Sequence, residues 1–235
     1  MLSNTPLSKL LFIDIETASE EAGLNILEEP KQKHWGKKHG HLSSEIIANA
    51  ADSYVHKAAI YAEFGKVICI SCGFFQDLEF HIYSFYQSTE KELLLAFGEF
   101  IDKHKLLLCG HNIKEFDIPY LCRRMLINGL SLPKKLDISG KKPWEVNFVD
   151  TLQLWKFGDY KSYTSLDLLA DIFDIPSSKD DINGSEVGQV YWQEKNLLRI
   201  VKYCQKDVVT AARLVQKWKQ IELLTDKLII VKNGV

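Results

Sequence analysis

The segment Leu10-Leu-Phe-Ile-Asp14-Ile-Glu16-Thr17 most restricts what this chain can fold into. Apolar residues crowd together with no turn former among them, so residues 8–17 are predicted to form a buried strand. Side chains alternate across a strand, which sends Asp14 and Glu16 to one face and Ile13 and Ile15 to the other. Two carboxylates side by side raise each other's proton affinity and cost stability unless a cation lies between them. Alternatively the strand end emerges into water, where both acids are solvated at little cost. If a cation is present, oxygen donors of this kind suit a hard divalent ion, Mg²⁺ or Mn²⁺.

The remaining residues supply a sheet for that strand. Residues 66–75 and 79–86 read as two further strands joined by Gln76-Asp77-Leu78, an antiparallel hairpin. Thr89 and Glu92 form a capping box at the start of a helix that runs to about Lys103. Lys105–Cys109 reads as a short buried strand ending at Gly110-His111-Asn112, and a helix follows from near Glu115. A strand at 147–150, a helix from Ser162 to Asp174 and a long helix from Glu194 to about Leu224 complete the order. Strands first, then alternating helices and strands, predict an α/β domain: a mixed sheet with an antiparallel edge, flanked by helices. Residues 1–235 are expected to form one domain with an insertion at about 18–64. The insertion reads as partly helical from about Ser44 to Tyr61, and residues 130–146 read as a loop rich in Lys, Gly and Pro.

A chain that is 46% hydrophobic and 26% charged can bury a substantial core, which excludes a disordered tail protein. The N-terminus lacks a charged segment followed by an apolar stretch, and no run approaches the length of a membrane span. A cytoplasmic protein without a membrane partner is the expectation. Five cysteines, an odd number scattered through apolar segments, fit a reducing compartment. Cys69 and Cys72 form a C-x-x-C, but inside a strand positions i and i+3 face opposite ways. They are therefore read as structural.

Two more segments carry acids where chemistry could use them. Gly110-His-Asn112-Ile-Lys-Glu-Phe116-Asp117-Ile-Pro-Tyr-Leu121 follows a buried strand and enters a helix. In α/β sheets ligands bind at such carboxyl ends, and Asn112 and Asp117 would then lie near the end of the Asp14 strand. Asp117 could instead serve only the helix dipole as a first-turn residue. Tyr203-Cys-Gln-Lys-Asp207 lies within the long C-terminal helix, where positions i and i+4 share a face. Ile200, Val201, Val208 and Leu214 suggest that this helix is largely buried, which makes an unpaired Asp costly. Taken alone, Tyr203 and Asp207 could also be a surface pair.

In this order the three segments resemble the DEDD superfamily of 3′→5′ exonucleases, in its tyrosine-bearing (DEDDy) branch. Phe12-Ile-Asp14-Ile-Glu16-Thr17, Asn112-Ile-x-x-Phe116-Asp117-Ile-Pro-Tyr120-Leu121 and Tyr203-Cys-x-x-Asp207 are similar to the three motifs of the proofreading exonuclease domain of family B DNA polymerases. Glu63-Phe-Gly-Lys-Val-Ile-Cys-Ile-Ser71 resembles the segment between the first two. The resemblance spans about residues 9–215 and implies an RNase H-like (DnaQ-like) fold. It implies Asp14, Glu16, Asp117 and Asp207 as ligands of two divalent metal ions, Mg²⁺ or Mn²⁺, and Tyr203 as the residue that positions the nucleophile. Thr17, Asn112 and Phe116 are implied to contact the terminal nucleotide. Two metals about 3.5–4 Å apart can activate water and stabilise a leaving 3′-oxygen. Tyr203, with an ordinary pKa near 10, then serves better as an orienting hydrogen bond than as a base.

The expected partner is nucleic acid with a free 3′ end, single-stranded DNA favoured. An RNA-directed 3′→5′ exonuclease and a catalytically silent end-binding module are the alternatives. A net charge of −2 suits gripping a few nucleotides rather than coating a long duplex. The insertion departs from the resemblance and carries Lys31-Gln-Lys-His34-Trp35-Gly-Lys-Lys-His39-Gly-His41. That stretch reads as a solvated loop, or as a place where Trp35 stacks a base and the lysines hold phosphates. Lys134, Lys135, Lys141 and Lys142 around Trp144 are a second basic candidate. Asp150 and Lys179-Asp180-Asp181 read as caps and turns.

Overall fold

Strand β1, Leu10–Ser19, lies inside a six-stranded sheet of order β5-β4-β1-β2-β3-β6. The computed structural model describes residues 5–41, 49–87, 89–159, 161, 163–176 and 181–232. β2 (Gly65–Gln76) runs antiparallel to β1 and turns back into β3 (Glu79–Phe85) through Asp77 and Leu78, with Asp77 left-handed at φ 55°. This is the predicted hairpin, closed by a residue type that tolerates that backbone. On the other side β4 (Leu107–Gly110) lies parallel to β1, and β5 (Val149–Asp150) parallel to β4. A strand the sequence reading did not provide, β6 (Ile229–Lys232), pairs parallel with β3, so the antiparallel strands are internal to the sheet. The mixed α/β sheet flanked by helices is the expected RNase H-like arrangement.

The helices are α1 (Glu29–His39), α2 (Ala50–Lys57), α3 (Glu90–Lys103), α4 (Asp117–Ile127), α5 (Thr151–Lys156) and α6 (Leu166–Ile172). A single turn, α7 (Val187–Gln189), runs into a π-turn at Val190–Glu194, and α8 (Leu197–Trp218) follows. Thr89 and Glu92 make the predicted capping box on α3. β1 is buried on both faces. Leu11, Ile13 and Ile15 join Leu94, Phe97 and Ile101 of α3 and Ile118 and Leu121 of α4, while Leu10 and Phe12 join Val208, Ala211, Ala212 and Val215 of α8. Each fully buried aliphatic or aromatic side chain stabilises by about 1.5–3 kcal/mol relative to exposure. Cys69 and Cys72 fall in different clusters on opposite sheet faces, and all five cysteines are free.

The insertion differs from its expected form. Lys31–His41 is mostly α1, entered through Pro30 and ending on Lys37, Lys38 and His39, which suit the negative helix end. Trp35 is fully buried among Tyr54, Tyr61 and Phe64, with ring centroids 5.4, 6.0 and 5.0 Å away. Its indole Nε1 donates to the Ala50 carbonyl at 2.9 Å and the Ser53 hydroxyl at 3.0 Å. A core tryptophan with a satisfied N–H is the keystone of the insertion and cannot stack a base. Of the helix expected at 44–61, residues 44–48 lie outside the described residues, and the rest is α2 followed by a 3-10 turn, Ala58–Ile60.

The second basic candidate is partly structural. The Lys135 ammonium donates to the carbonyls of Ile101 (3.1 Å) and His104 (2.6 Å), closing the end of α3. Lys142 lies over the exposed Trp144 ring at 5.2 Å. Lys134, Lys135 and Lys141 line a hollow with Leu107 and Phe148, separate from the acidic pocket described next.

Candidate active site

Along β1 the row that faces α8 reads Leu10, Phe12, Asp14, Glu16: two apolar residues, then two acids. α8 matches that row. Its C-terminal half covers Leu10 and Phe12, and one to three turns earlier it brings Asp207 and Tyr203 to the carboxylates. Tyr203 and Asp207 share a helix face as predicted, and the tyrosine hydroxyl is hydrogen-bonded to Asp207. Between them, the Cys204 thiol donates to the Asp14 carbonyl at 3.4 Å and so seats α8 on β1.

The second acidic segment reaches the same place through β4. Gly110 ends β4 where a Cβ would lie 2.4 Å from Ile113 Cγ2 and 2.6 Å from the Ile13 carbonyl, so only glycine lets the loop close onto β1. Asn112 follows at φ 63°, a left-handed position that Asn tolerates. The loop is held from outside the motif. Asp150, 2% exposed at the end of β5, accepts the backbone N–H groups of Asn112 (3.0 Å) and Lys114 (2.9 Å). It also accepts those of Leu152 (3.0 Å) and Gln153 (3.3 Å), capping α5. Asp117 then opens α4 with its carboxylate hydrogen-bonded to the Ile15 backbone, which ties the helix to β1.

Asp14, Glu16, Asn112, Phe116, Asp117, Tyr203 and Asp207 all line one cavity of about 410 Å³. Thr17 does not. It follows a β-bulge after Glu16, and its buried side chain lies beside the Tyr120 hydroxyl. The lining also includes Ile60, His111, Tyr163, Ser165, Leu166 and Asp167, which the sequence reading did not single out. His111 adjoins Asn112 and Ser165 caps α6, signals that were readable. Ile60 was hidden in the insertion, and nothing local marks it.

Burial, reinforced by Asp207 and Asp117, holds the Asp14 carboxyl well above the usual range; Glu16 is raised by burial, then by Asp14 and Asp207. Asp117 is pushed up to about 7, by burial first and by Asp150 and Asp207 after it, against the pull of its backbone hydrogen bonds. Burial and the three carboxylates of Asp207, Glu16 and Asp14 push the Tyr203 phenol up, so it stays protonated.

Such a set fits a divalent cation. Asp14 Oδ2 is buried with no hydrogen-bond partner, an orphan that a cation would satisfy. Among the described residues, the one group of metal-ligating side chains within sharing distance is Asp14, Glu16 and Cys204, with donor atoms within 4.8 Å of one another. Burial raises the Cys204 thiol and its proton goes to the Asp14 carbonyl, so the site offers hard carboxylate oxygens.

A mixed α/β sheet therefore brings acids from three segments together at the ends of β1 and β4. Residues 59–228 match a family described as a predicted 3′-5′ exonuclease related to the exonuclease domain of PolB, and this chain belongs to that family. Over 160 residues it is 29% identical to a DNA polymerase of Red sea bream iridovirus, a match covering 60% of this chain and 16% of that protein. The family B DNA polymerase of the hyperthermophilic archaeon Pyrobaculum calidifontis shares the fold with TM-score 0.56 and 16% identity, over 91% of this chain and 24% of the polymerase. The RNase domain of the yeast Pop2 protein gives TM-score 0.36 and 12% identity, over 84% of this chain and 76% of that domain. The chain thus spans a quarter or less of the polymerases it matches. No helix among the described residues is long and apolar enough to cross a membrane.

Proposed function

We propose that this chain removes nucleotides from the 3′ end of single-stranded DNA by hydrolysing the terminal phosphodiester. Asp14, Glu16, Asp117 and Asp207 would hold two Mg²⁺ or Mn²⁺ ions. When bound, those ions supply charge stabilisation for the attacking and leaving oxygens of an in-line displacement. The observation that carries the reading is the convergence of these four acids and Tyr203, from three distant segments, on one cavity around an unpartnered buried carboxylate oxygen.

The chain's own residues then divide the work. Asn112 brings a side-chain oxygen, Oδ1, that is buried without a protein partner, an acceptor for the hydroxyl of a terminal sugar. Phe116 gives the terminal base an aromatic surface beside that hydroxyl. Tyr203, kept protonated by its acidic surroundings and hydrogen-bonded to Asp207, orients the attacking water through its hydroxyl oxygen rather than removing its proton. The walls formed by Ile60 and Leu166 narrow access for bulk water.

The test is incubation of 3′- and 5′-labelled DNA and RNA strands with the protein in Mg²⁺, Mn²⁺ or EDTA, alongside Asp14→Ala. Metal-dependent shortening of DNA from the 3′ end, lost in the variant, is expected. Shortening of RNA alone would reassign the substrate, and binding without degradation in every metal would make the chain an end-binding module.

A further inference from the structure

We infer that His111 is a positioning residue that fixes the pocket wall at residues 163–167 to the loop carrying Asn112 and Asp117, and so sets how tightly the site holds the terminal nucleotide. This rests on the exonuclease reading of the acidic pocket. Tyr163, Ser165, Leu166 and Asp167 of that wall line the cavity together with His111 and Asn112. A histidine among carboxylates invites an acid–base role, and its two ring nitrogens decide against one.

Both nitrogens are occupied by the protein. Nε2 lies 2.8 Å from the Thr164 carbonyl, across 53 residues of chain. A carbonyl can only accept, so Nε2 carries a proton. Nδ1 lies 2.9 Å from the Thr151 hydroxyl, which also reaches the Gly110 carbonyl at 3.2 Å. Burial lowers the pKa of the ring, against the pull of Thr164 and Asp150, so the neutral form with Nδ1 as acceptor fits this clasp. The ring therefore offers neither a lone pair nor a spare N–H to an attacking water or a leaving oxygen.

The clasp joins three pieces of the site. Gly110 ends β4, Thr151 opens α5 fully buried, and Thr164 stands just before Ser165, the cap of α6. Farther along, Leu169 and Ala170 pack with Leu214 of α8, so α6 is seated in the core at one end and tied to the loop at the other. The wall is held through the main chain of Thr164, so the donor has to come from the loop. Without it, the turn before α6 is free to draw back from Asn112 and widen the space for a terminal sugar and base. The acids keep their own ties: Asp14 lies on β1, Asp207 on α8, and Asp117 is hydrogen-bonded to the Ile15 backbone. Loss of the clasp should thus weaken binding more than it slows the chemical step.

The test measures KM and kcat for shortening of a 5′-labelled deoxythymidine strand of about ten nucleotides in Mn²⁺. In His111→Ala, KM should rise roughly tenfold, the effect of one lost hydrogen bond, while kcat falls less than about threefold and its pH profile keeps its shape. His111→Gln, whose amide N–H can reach the same carbonyl, should recover most of the affinity. A kcat loss of roughly 100-fold with one limb missing from the pH profile would make the ring a catalytic acid or base and overturn the clasp. So would an unchanged KM in His111→Ala, or no recovery in His111→Gln. Two measurements need no activity. In the native protein, ring-nitrogen NMR of isotope-labelled histidine should show His111 protonated at Nε2 and bare at Nδ1 at about pH 7.5, and rapid exchange between tautomers there would overturn the clasp. Amide hydrogen exchange at Leu168 and Leu169, both bonded to Ser165, should quicken roughly tenfold in His111→Ala. Strand shortening with KM and exchange both unchanged in that variant would remove the clasp and leave the exonuclease reading intact. No shortening by the native protein, with the expected spectrum and exchange, would sink the exonuclease reading and leave the clasp standing.

Discussion

Asp150 shows how far a single carboxylate can reach. Its capping of α5 was legible, because Asp before Thr-Leu-Gln fits a helix start. Its grip on Asn112 and Lys114 was not, because those residues lie 38 and 36 positions earlier and only the pairing of β4 with β5 brings them together. Asp150→Ala strips the acceptor from four backbone N–H groups, at about 1–3 kcal/mol for each donor left buried and unpaired. With water reaching some of them, a net loss of about 3–5 kcal/mol is expected in urea unfolding. Asp150→Asn keeps one acceptor oxygen and should cost less. An unchanged midpoint in the alanine variant would show that the loop holds its shape without Asp150. Tyr203 makes a different prediction, since its hydroxyl touches the acids without being one. Tyr203→Phe should slow strand shortening roughly 100-fold while calorimetric Mn²⁺ binding stays close to that of the native protein. Loss of Mn²⁺ binding would make Tyr203 part of the metal cage rather than an orienting hydroxyl.

At the scale of elements, the insertion was the hardest part to read. α1 buries one side chain, Trp35, and its other positions are mostly charged, so it lacks the apolar stripe by which a helix announces itself. The run of lysines and histidines around one aromatic therefore reads as a solvated loop or a base-stacking stretch, while the ring it surrounds is a core anchor. Trp35→Ala should lower stability by about 3–5 kcal/mol, the usual cost of emptying a large aromatic site, and should open residues 29–61 to limited proteolysis before the sheet. A variant that melts like the native protein but binds strands more weakly would restore the stacking role. β6 escaped for another reason. Ile229–Lys232 is four residues long and half exposed, and its place depends on the free edge of β3, which no local pattern reveals. The strands and helices that did read correctly, from β1 to α8, are those whose periodicity matches a face buried against a large partner.

For the molecule as a whole, the fold places like charges together around one cavity. The family match begins at residue 59, so Asp14 and Glu16 lie outside it and their role rests on where β1 sits against α8. This arrangement has a consequence for stability. Asp14, Glu16 and Asp117 bind protons more tightly in the folded chain than in the unfolded one, where such carboxyls titrate near about 4. A raised group stabilises the fold fully below its unfolded value, and that contribution is lost as pH rises through its folded value, about 7 for Asp117. Metal-free protein should therefore melt at a lower temperature at about pH 8 than at about pH 5. A divalent cation takes over from the protons, so Mn²⁺ should raise the melting temperature strongly at the higher pH and little at the lower one. Thermal unfolding in EDTA and in Mn²⁺ across that range checks both statements. Asp14→Ala should weaken the pH dependence and shrink the Mn²⁺ shift together, because that carboxylate contributes to both. A Mn²⁺ shift of equal size at both pH values would mean that the cation binds elsewhere on the molecule.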